Sequence, residues 1–548
     1  MSLKFIALSG TVSVTENLYV YESEGKMVVV DCGVGFPDLE MPGVDLVIPD
    51  FSYIVKNKEK LVGVVVSQGH EDHIGALPFL LRSVSVPVWA APLVAEFLKD
   101  KFNEYGVEGV KINTFDPDSS QFEVGAFVFH PFRITHSVPD SCGFAIDTPE
   151  GRFFHVPEHK MDENPVGGRG IDAAKIKQLA DREVLCLASD CLGANKPGYT
   201  KGELYLEDNI YNVAKEAKEA LLMTAISSNI GRFQQMVNVS SRLGRKVVFV
   251  GRSIQKKVES AHLLGYIQYD KNLVISIDES YDYQRNKITY IVSGCYGQVG
   301  SSLYRIAEGK HEKLEVAQGD MLIFSADPAP PYSKESEDYV IDKLIDKGVD
   351  VHYYDLNEDL YVSGHGSQED IVAMFNLVKP KYFIPIGGSI RFMHAYKKLV
   401  ARTSGDDSKV FILKPGDNVN FQNGSARQGD RIGTKEVLVH GLGIGDIGKV
   451  VLGDRTILGS EGFAAVLIKI GSDHKLKGEP EIISRGFVFE KIEQPLLENA
   501  KRRLSRQIEK NGKVDKKVAQ KVAKDYLEKF FFQKTGRRPM ILPLIVEV

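Results

Sequence analysis

The sequence contains no Cys-x-x-Cys pair, and its five cysteines (Cys32, Cys142, Cys186, Cys191, Cys295) are odd in number and scattered. That pattern argues against a disulfide framework and a thiolate zinc site, and predicts free thiols in a reducing cytoplasm. No uninterrupted apolar stretch approaches the ~20 residues that a membrane span requires, so no membrane partner is expected. The opening Met1-Ser2-Leu3-Lys4-Phe5 moves straight into a strand-and-turn pattern, without a charged-then-apolar leader. A basic excess is missing as well. The formal net charge is −5, so a polyanionic partner would have to meet a local basic surface. No internal repeat and no low-complexity tract is evident.

What is present is ordinary globular composition, 43% apolar and 26% charged, in a chain of 548 residues. That length exceeds what one core supports and predicts roughly two to four domains. The first two hundred residues read as short strands (19–21, 27–31, 62–66, 88–90, 127–134, 152–156) separated by Gly, Pro and Asp turns, with helices at 76–82 and 93–105. From 204 to about 350 helix and strand alternate: helices at 209–220 and 253–264, strands at 246–250, 272–277, 288–292 and 321–324. This is the texture of an α/β unit with a parallel sheet. A helix at 368–378 and a strand at 382–386 look like a return to the first domain. Residues 415–435, rich in Gly, Asn, Asp and Gln, suggest a linker. Strands at 437–440 and 464–470 and a long helical region at 494–532 suggest a final small domain.

The chemistry concentrates after the apolar run 61–66, in Ser67-Gln68-Gly69-His70-Glu71-Asp72-His73. Two imidazoles and a carboxylate within four residues at a buried strand end point to metal ligation more than to a solvated, helix-capping loop. His136, in Ile134-Thr135-His136-Ser137, and Glu158, in His155-Val156-Pro157-Glu158-His159-Lys160, stand at the ends of other strands. Imidazole with carboxylate suits borderline and hard divalent ions, zinc or manganese ahead of copper.

At this point the chain resembles ribonuclease J, of the β-CASP branch of the metallo-β-lactamase superfamily, over essentially its whole length. The matching stretches include Val30-Asp31-Cys32-Gly33-Val34-Gly35-Phe36-Pro37, Pro197-Gly198-Tyr199-Thr200, Gly251-Arg252-Ser253, Ile482-Ile483-Ser484-Arg485-Gly486-Phe487 and Arg537-Arg538-Pro539-Met540. The resemblance implies an α/β fold: a metallo-β-lactamase αββα sandwich in two parts (1–203 and 356–414), an inserted β-CASP α/β domain (204–355), the linker at 415–435 and a small α+β C-terminal domain (436–548). It implies 5′-to-3′ exonuclease and endonuclease action on RNA in the cytoplasm, dependent on a divalent metal, zinc ahead of manganese and magnesium. Partners so implied are RNA and other copies, as a dimer or tetramer, or as a hetero-oligomer with another ribonuclease J.

Carried over residue by residue, the metal ligands are His70, Asp72, His73, His136 and Glu158. Asp31 lies behind them, and Asp72, Asp190 and His365 take catalytic roles. Tyr361, Val362, Ser363, Gly364, His365 and Ser367 form a loop for RNA phosphate, whose N–H groups bind without reading sequence. Departures are equally specific. The family pattern His-x-His-x-Asp-His has Gln68 at its first place, Glu158 replaces a bridging aspartate, Gly387 a last metal histidine, and Tyr361 a loop histidine. On paper His70, His136 and Glu158 could hold one ion, and Asp72, His73 and Glu158 a second. The extra methylene of Glu158 would move a bridging oxygen by something like ~1 Å, enough to cost about 100-fold in rate. Two functions therefore stand open: an impaired hydrolase, or an inactive RNA-binding subunit that partners an active ribonuclease J. From 501 to 538 the chain carries fourteen Lys or Arg against four Asp or Glu. An apolar series there (Val514, Val518, Val522, Tyr526, Phe530) favours a solvated amphipathic face over an RNA stripe.

Overall fold

The computed structural model describes residues 2–38, 40–326, 333–441, 443–487 and 490–548. The chain divides into two compact units, one of residues 1–36 with 47–437, the other of 37–46 with 438–548.

In the larger unit, two sheets face each other. The first has eight strands in the order Ser425–Gln428, Asn418–Gln422, Leu3–Ser9, Leu18–Ser23, Lys26–Val30, Leu61–Val65, Val88–Ala90 and Ile112–Thr114. The second has six, in the order Tyr382–Ile386, Val184–Asp190, Gly151–Val156, Cys142–Thr148, Phe127–Arg133 and Phe122–Val124. Alternate residues point inward, as the two-residue strand period requires. Thus Phe127 and Phe129, or Phe144 and Ile146, meet Phe5 and Tyr21 from the opposite sheet, all fully buried. Phe5 stacks on Phe153 at 5.4 Å across the interface. Helices Gln368–Val378 and Ile390–Ser404 cover the outer face of the second sheet through Met374, Phe375, Met393 and Tyr396. Helix Pro92–Tyr105 packs on strands Val88–Ala90 and Ile112–Thr114 of the first. This is the four-layer αββα arrangement that the resemblance implies.

Between its two parts lies a five-stranded, wholly parallel sheet, ordered Lys246–Val250, Ile288–Val292, Leu221–Thr224, Met321–Phe324 and Asp350–His352. Its strands are near-continuous apolar runs because both faces are covered.

The smaller unit sets strand Phe463–Ile470 between antiparallel Glu481–Arg485 and parallel Met540–Glu547. Helices Glu490–Lys510 and Lys516–Thr535 pack Leu504, Ile508, Ala519, Ala523, Leu527 and Phe531 into its core.

Several expectations are corrected. Residues 415–435 are not a linker: they carry the two-stranded hairpin that pairs with the first strand of the chain. Asn423-Gly424 supplies the turn, with φ of 51° and 69°, the conformation that a two-residue hairpin demands and Asn-Gly favours. Residues 272–277 form a single bridge, Val247 with Val274, and no strand. The helix expected over 209–220 runs Leu206–Ala214, and the central strand Leu221–Thr224 follows. The helical region 494–532 is two helices; of the expected apolar series Val514 and Phe530 are buried and Val518 is exposed, and Ala519, Ala523 and Leu527 fill the core beside them.

Candidate metal centre

The polar cluster forms because the sheets aim it. Strands Phe127–Arg133 and Gly151–Val156 are both antiparallel to Cys142–Thr148, and Val184–Asp190 and Tyr382–Ile386 run parallel to Gly151–Val156. All four therefore end on the same edge, where His136, Glu158, Asp190 and Gly387 follow or terminate them. Strand Leu61–Val65 of the other sheet delivers the segment with Gln68, His70, Asp72 and His73. Asp31 sits in a left-handed turn (φ 62°) and accepts from Ser67 N and Oγ at 2.8 and 2.7 Å and from His73 Nδ1 at 2.8 Å. That fixes the imidazole as expected of a group behind the site.

Among the described residues two sets of three donors converge: Asp72, His73 and Glu158, and His136, Glu158 and His365, each with its donor atoms within 4.8 Å of one another. His70 joins neither. Its Nδ1 lies 2.6 Å from Ser228 Oγ and its Nε2 2.6 Å from Ser137 Oγ, so both ring nitrogens are engaged by hydroxyls. The expected first ion, on His70, His136 and Glu158, is not what the geometry offers. His365, expected on phosphate, stands with His136 and Glu158 instead. His159 is buried and its Nδ1 faces Pro157 O, outside both sets.

Gln68 decides the Asp72 side. Its amide nitrogen lies 2.6 Å from Glu158 Oε2 and 2.9 Å from His73 Nε2. Asn17 Nδ2 adds contacts of 3.1 Å to His73 Nε2 and 3.3 Å to Asp72 Oδ2. Amide N–H groups thus occupy the space in which these donors would share a cation. Turning the Gln68 amide over would set its oxygen 2.6 Å from a carboxylate, a repulsion that only a cation or proton between them relieves.

Electrostatics is strained by so many like groups. Burial and the Glu158 charge push Asp72 up to about 7. Glu158 is itself buried, yet the imidazoles of His73 and His365 beside it, with a hydrogen bond from His136, hold it well below the usual carboxylate range. Burial, then His136, drives His70 down. Burial also opposes a proton on His73, but Asp31, Asp72 and Glu158 outweigh it and pull His73 upward. A protonated ring, however, would turn an N–H on the Gln68 and Asn17 amides, donor against donor. The hydrogen-bond geometry is that of a neutral His73 with an accepting Nε2. A pair of ions does not fit this donor set: Gln68 and Asn17 fill one locus, His70 has turned away, and Gly387 has no side chain to offer.

The phosphate loop is pinned residue by residue. His136 Nδ1 lies 2.9 Å from Gly364 O, an approach open only to glycine, since a Cβ there would fall 2.7 Å from the His136 ring. Ser363 Oγ accepts from His365 N at 3.1 Å, and His365 Nδ1 meets Asp190 Oδ2 at 2.8 Å. Ser367 caps helix Gln368–Val378 with Asp370 in a reciprocal box. Val362 is buried, and the buried Tyr361 hydroxyl has no hydrogen-bond partner among the described residues. Lys160, fully buried, reaches Ser363 O at 3.2 Å and Glu203 Oε1 at 2.9 Å, while Arg232 of the inserted domain takes Glu203 Oε2 at 2.8 Å. Lys160, Glu203, Asn17 and Ser228 had no role in the sequence reading. The signal was present for Lys160 alone, as a lysine closing an otherwise buried strand-end motif.

Comparison with known proteins now bears on this geometry. Residues 26–178 match the beta-lactamase superfamily domain, 218–344 the ribonuclease J beta-CASP domain, 356–413 the Zn-dependent metallo-hydrolase RNA specificity domain, and 450–548 the ribonuclease J C-terminal domain. Ribonuclease J2 of Bacillus subtilis is 32% identical over 564 residues, covering 100% of this chain and 99% of that protein. The chain belongs to the ribonuclease J family. Ribonuclease J 2 of Staphylococcus aureus is likewise 32% identical, over 553 residues, covering 100% and 98% of the two chains. A crystallised protein of unknown function from Enterococcus faecalis shares the fold with a TM-score of 0.53 at 13% identity, over 76% of this chain and 99% of its own.

Within the ribonuclease J frame, two of the departures, Gln68 and Glu158, touch each other. Gly387 holds a φ of 65°, and a Cβ on it would stand 3.7 Å from Asp190 Oδ1. The backbone at 387 is in the left-handed region that glycine tolerates, so a histidine there meets strain.

Proposed function

We propose that this chain binds RNA as ribonuclease J proteins do but has lost hydrolysis by a pair of ions, and that it acts as an RNA-binding subunit beside a family member carrying the full histidine set. The observation that carries the reading is the Gln68 amide nitrogen, 2.6 Å from Glu158 Oε2 and 2.9 Å from His73 Nε2. A pair of divalent ions polarises a phosphodiester and activates water when bound in such a site, and an amide supplies neither function. The phosphate-handling side keeps more by contrast: Ser363, Gly364 and Ser367 remain although Tyr361 replaces a histidine, and the loop is anchored on Lys160, His136 and Asp190. The five buried cysteines, none of them in a disulfide, suit a reducing cytoplasm. Assembly as a dimer or tetramer, or with an active ribonuclease J, belongs to the same proposal.

The test is binding and cleavage of a 5′-monophosphorylated RNA by the pure chain with zinc, manganese or magnesium. The expected result is a stable complex from which RNA is recovered intact. Losing several kcal/mol of transition-state stabilisation predicts cleavage at least about 1,000-fold slower than by an active family member assayed beside it. Cleavage at a comparable rate would overturn the proposal.

A further inference from the structure

The two donor sets differ in one respect that chemistry can read. At His73, Nδ1 faces the Asp31 carboxylate, and Nε2 lies nearer to amide nitrogens, at 2.9 and 3.1 Å, than to the Glu158 and Asp72 oxygens, at 3.5 and 3.6 Å, so a neutral imidazole satisfies its nearest partners with no added cation. At His136, both nitrogens face acceptors: Nδ1 the carbonyl of Gly364 at 2.9 Å, Nε2 the Glu158 carboxylate at 3.0 Å. A neutral imidazole has one N–H and cannot serve both. Something positive must stand between Nε2 and Glu158, either a second ring proton or a cation.

Several features accord with a cation. Gly364 O takes the N–H on Nδ1 of His136, and Asp190, at 2.8 Å, holds Nδ1 of His365, so each ring is oriented through Nδ1 with Nε2 on its far side. Metal-ligating histidines are oriented by this same use of the other nitrogen. The 3.0 Å between His136 Nε2 and Glu158 Oε2 also has the right size, since two ligands each ~2.1 Å from one tetrahedral or more compact centre stand about 3.0–3.4 Å apart. The site is almost closed to solvent, with side-chain exposures of 4%, 5% and 12% for His136, Glu158 and His365.

We infer that this chain holds a single zinc-class divalent ion on His136, Glu158 and His365, displaced from the ligand set that the sequence pattern suggests. Two imidazoles and a carboxylate with a fourth position open are a donor set that zinc accepts. His70 is no ligand here; Ser137 and Ser228 hold it. The inference rests on the reading that the paired-ion site is gone.

The test is metal stoichiometry on the chelator-stripped full chain, by titration calorimetry with Zn²⁺ and by the visible absorption of Co²⁺. The expectation is one ion per chain, unchanged in number by Gln68→Ala and shifted less than about threefold in affinity by His70→Gln. His365→Gln should abolish binding, with circular dichroism confirming that the variant folds. Asp190→Asn, which only reorients a ligand, should weaken binding about 10- to 100-fold. One ion that survives His365→Gln but is lost in His73→Gln would overturn the inference by placing the ion on Asp72, His73 and Glu158. No binding would overturn it too, leaving an imidazolium–carboxylate pair at His136 and the RNA-binding function untouched. Two ions per chain would overturn both readings.

Discussion

Glu203→Gln tests how the phosphate loop is held to the rest of the molecule. Glu203 is the carboxylate that two fully buried cations share, Lys160 Nζ at 2.9 Å and Arg232 Nη2 at 2.8 Å. Glutamine keeps the volume, removes the charge and turns an amide N–H towards an ammonium or guanidinium. Breaking a buried ion pair from one side costs about 3–5 kcal/mol because the remaining charge is stranded. Two cations are stranded here. Lys160 keeps Asp162 at 3.9 Å, and Arg232 keeps Ser325 and Gln235, which places the expected loss at about 4 kcal/mol. Urea unfolding followed by the single tryptophan, Trp89, reads it. With a slope on the order of 3 kcal/mol/M, the midpoint falls by about 1.3 M. The carboxylate is held below its usual range by Arg232 and Lys160 despite its burial. Its contribution is therefore present above about pH 4.5 and fades as the pH falls below that value, so Glu203→Gln narrows its gap to wild type in acid. Lys160→Met added to Glu203→Gln removes one stranded cation, so the double variant should be more stable than the sum of the single losses by at least about 1 kcal/mol. A loss under about 1 kcal/mol for Glu203→Gln, or strict additivity, would refute the account of the network.

Tyr361→Phe deletes a buried hydroxyl that has no partner among the described residues; the free protein should be unchanged or up to about 1 kcal/mol more stable, while RNA affinity in a filter-binding assay drops if that hydroxyl meets phosphate. Gly387→His forces a side chain onto a φ of 65° and should cost about 1–2 kcal/mol in denaturant unfolding without adding an ion in calorimetric titration. Burial and the Glu436 charge push Glu16 up to about 7, so the folded state binds a proton that the unfolded chain releases. Stability then declines as pH rises from about 4.5 through 7, and Glu16→Gln should raise the melting temperature at about pH 8 with no gain at about pH 4.

The layered fold was legible because its strands are short, apolar and bounded by turns, and because the family motifs are long. Local composition misled where tertiary partners decide. Asn418 and Asn420 look like linker residues, yet Asn418 Nδ2 bonds Asp430 O at 2.6 Å and the segment pairs with a strand some four hundred residues earlier. Ala220-Leu221-Leu222-Met223 has strong helix formers, and only the neighbours on both sides make a central strand of Leu221–Thr224. In the site, residue types were readable and directions were not. Spacing placed His70 beside Asp72 and His73, but which way a ring turns depends on Ser137 and Ser228, one of them in another domain. The exchange of His70 for His365 could not be seen without that.

The sheet order carries a consequence for synthesis. Leu3–Ser9, made first, lies between Leu18–Ser23 and Asn418–Gln422, and Val184–Asp190 takes Tyr382–Ile386 as its neighbour. On the ribosome the amino-terminal two hundred residues must wait, edges open, until the chain has passed residue 428. The inserted sheet is assembled from residues 221–352 alone and can close while they wait. The part that folds first is thus the part encoded in the middle, and a chain truncated between residue 352 and the Asn423-Gly424 turn would carry a finished insert on an unfinished two-sheet frame.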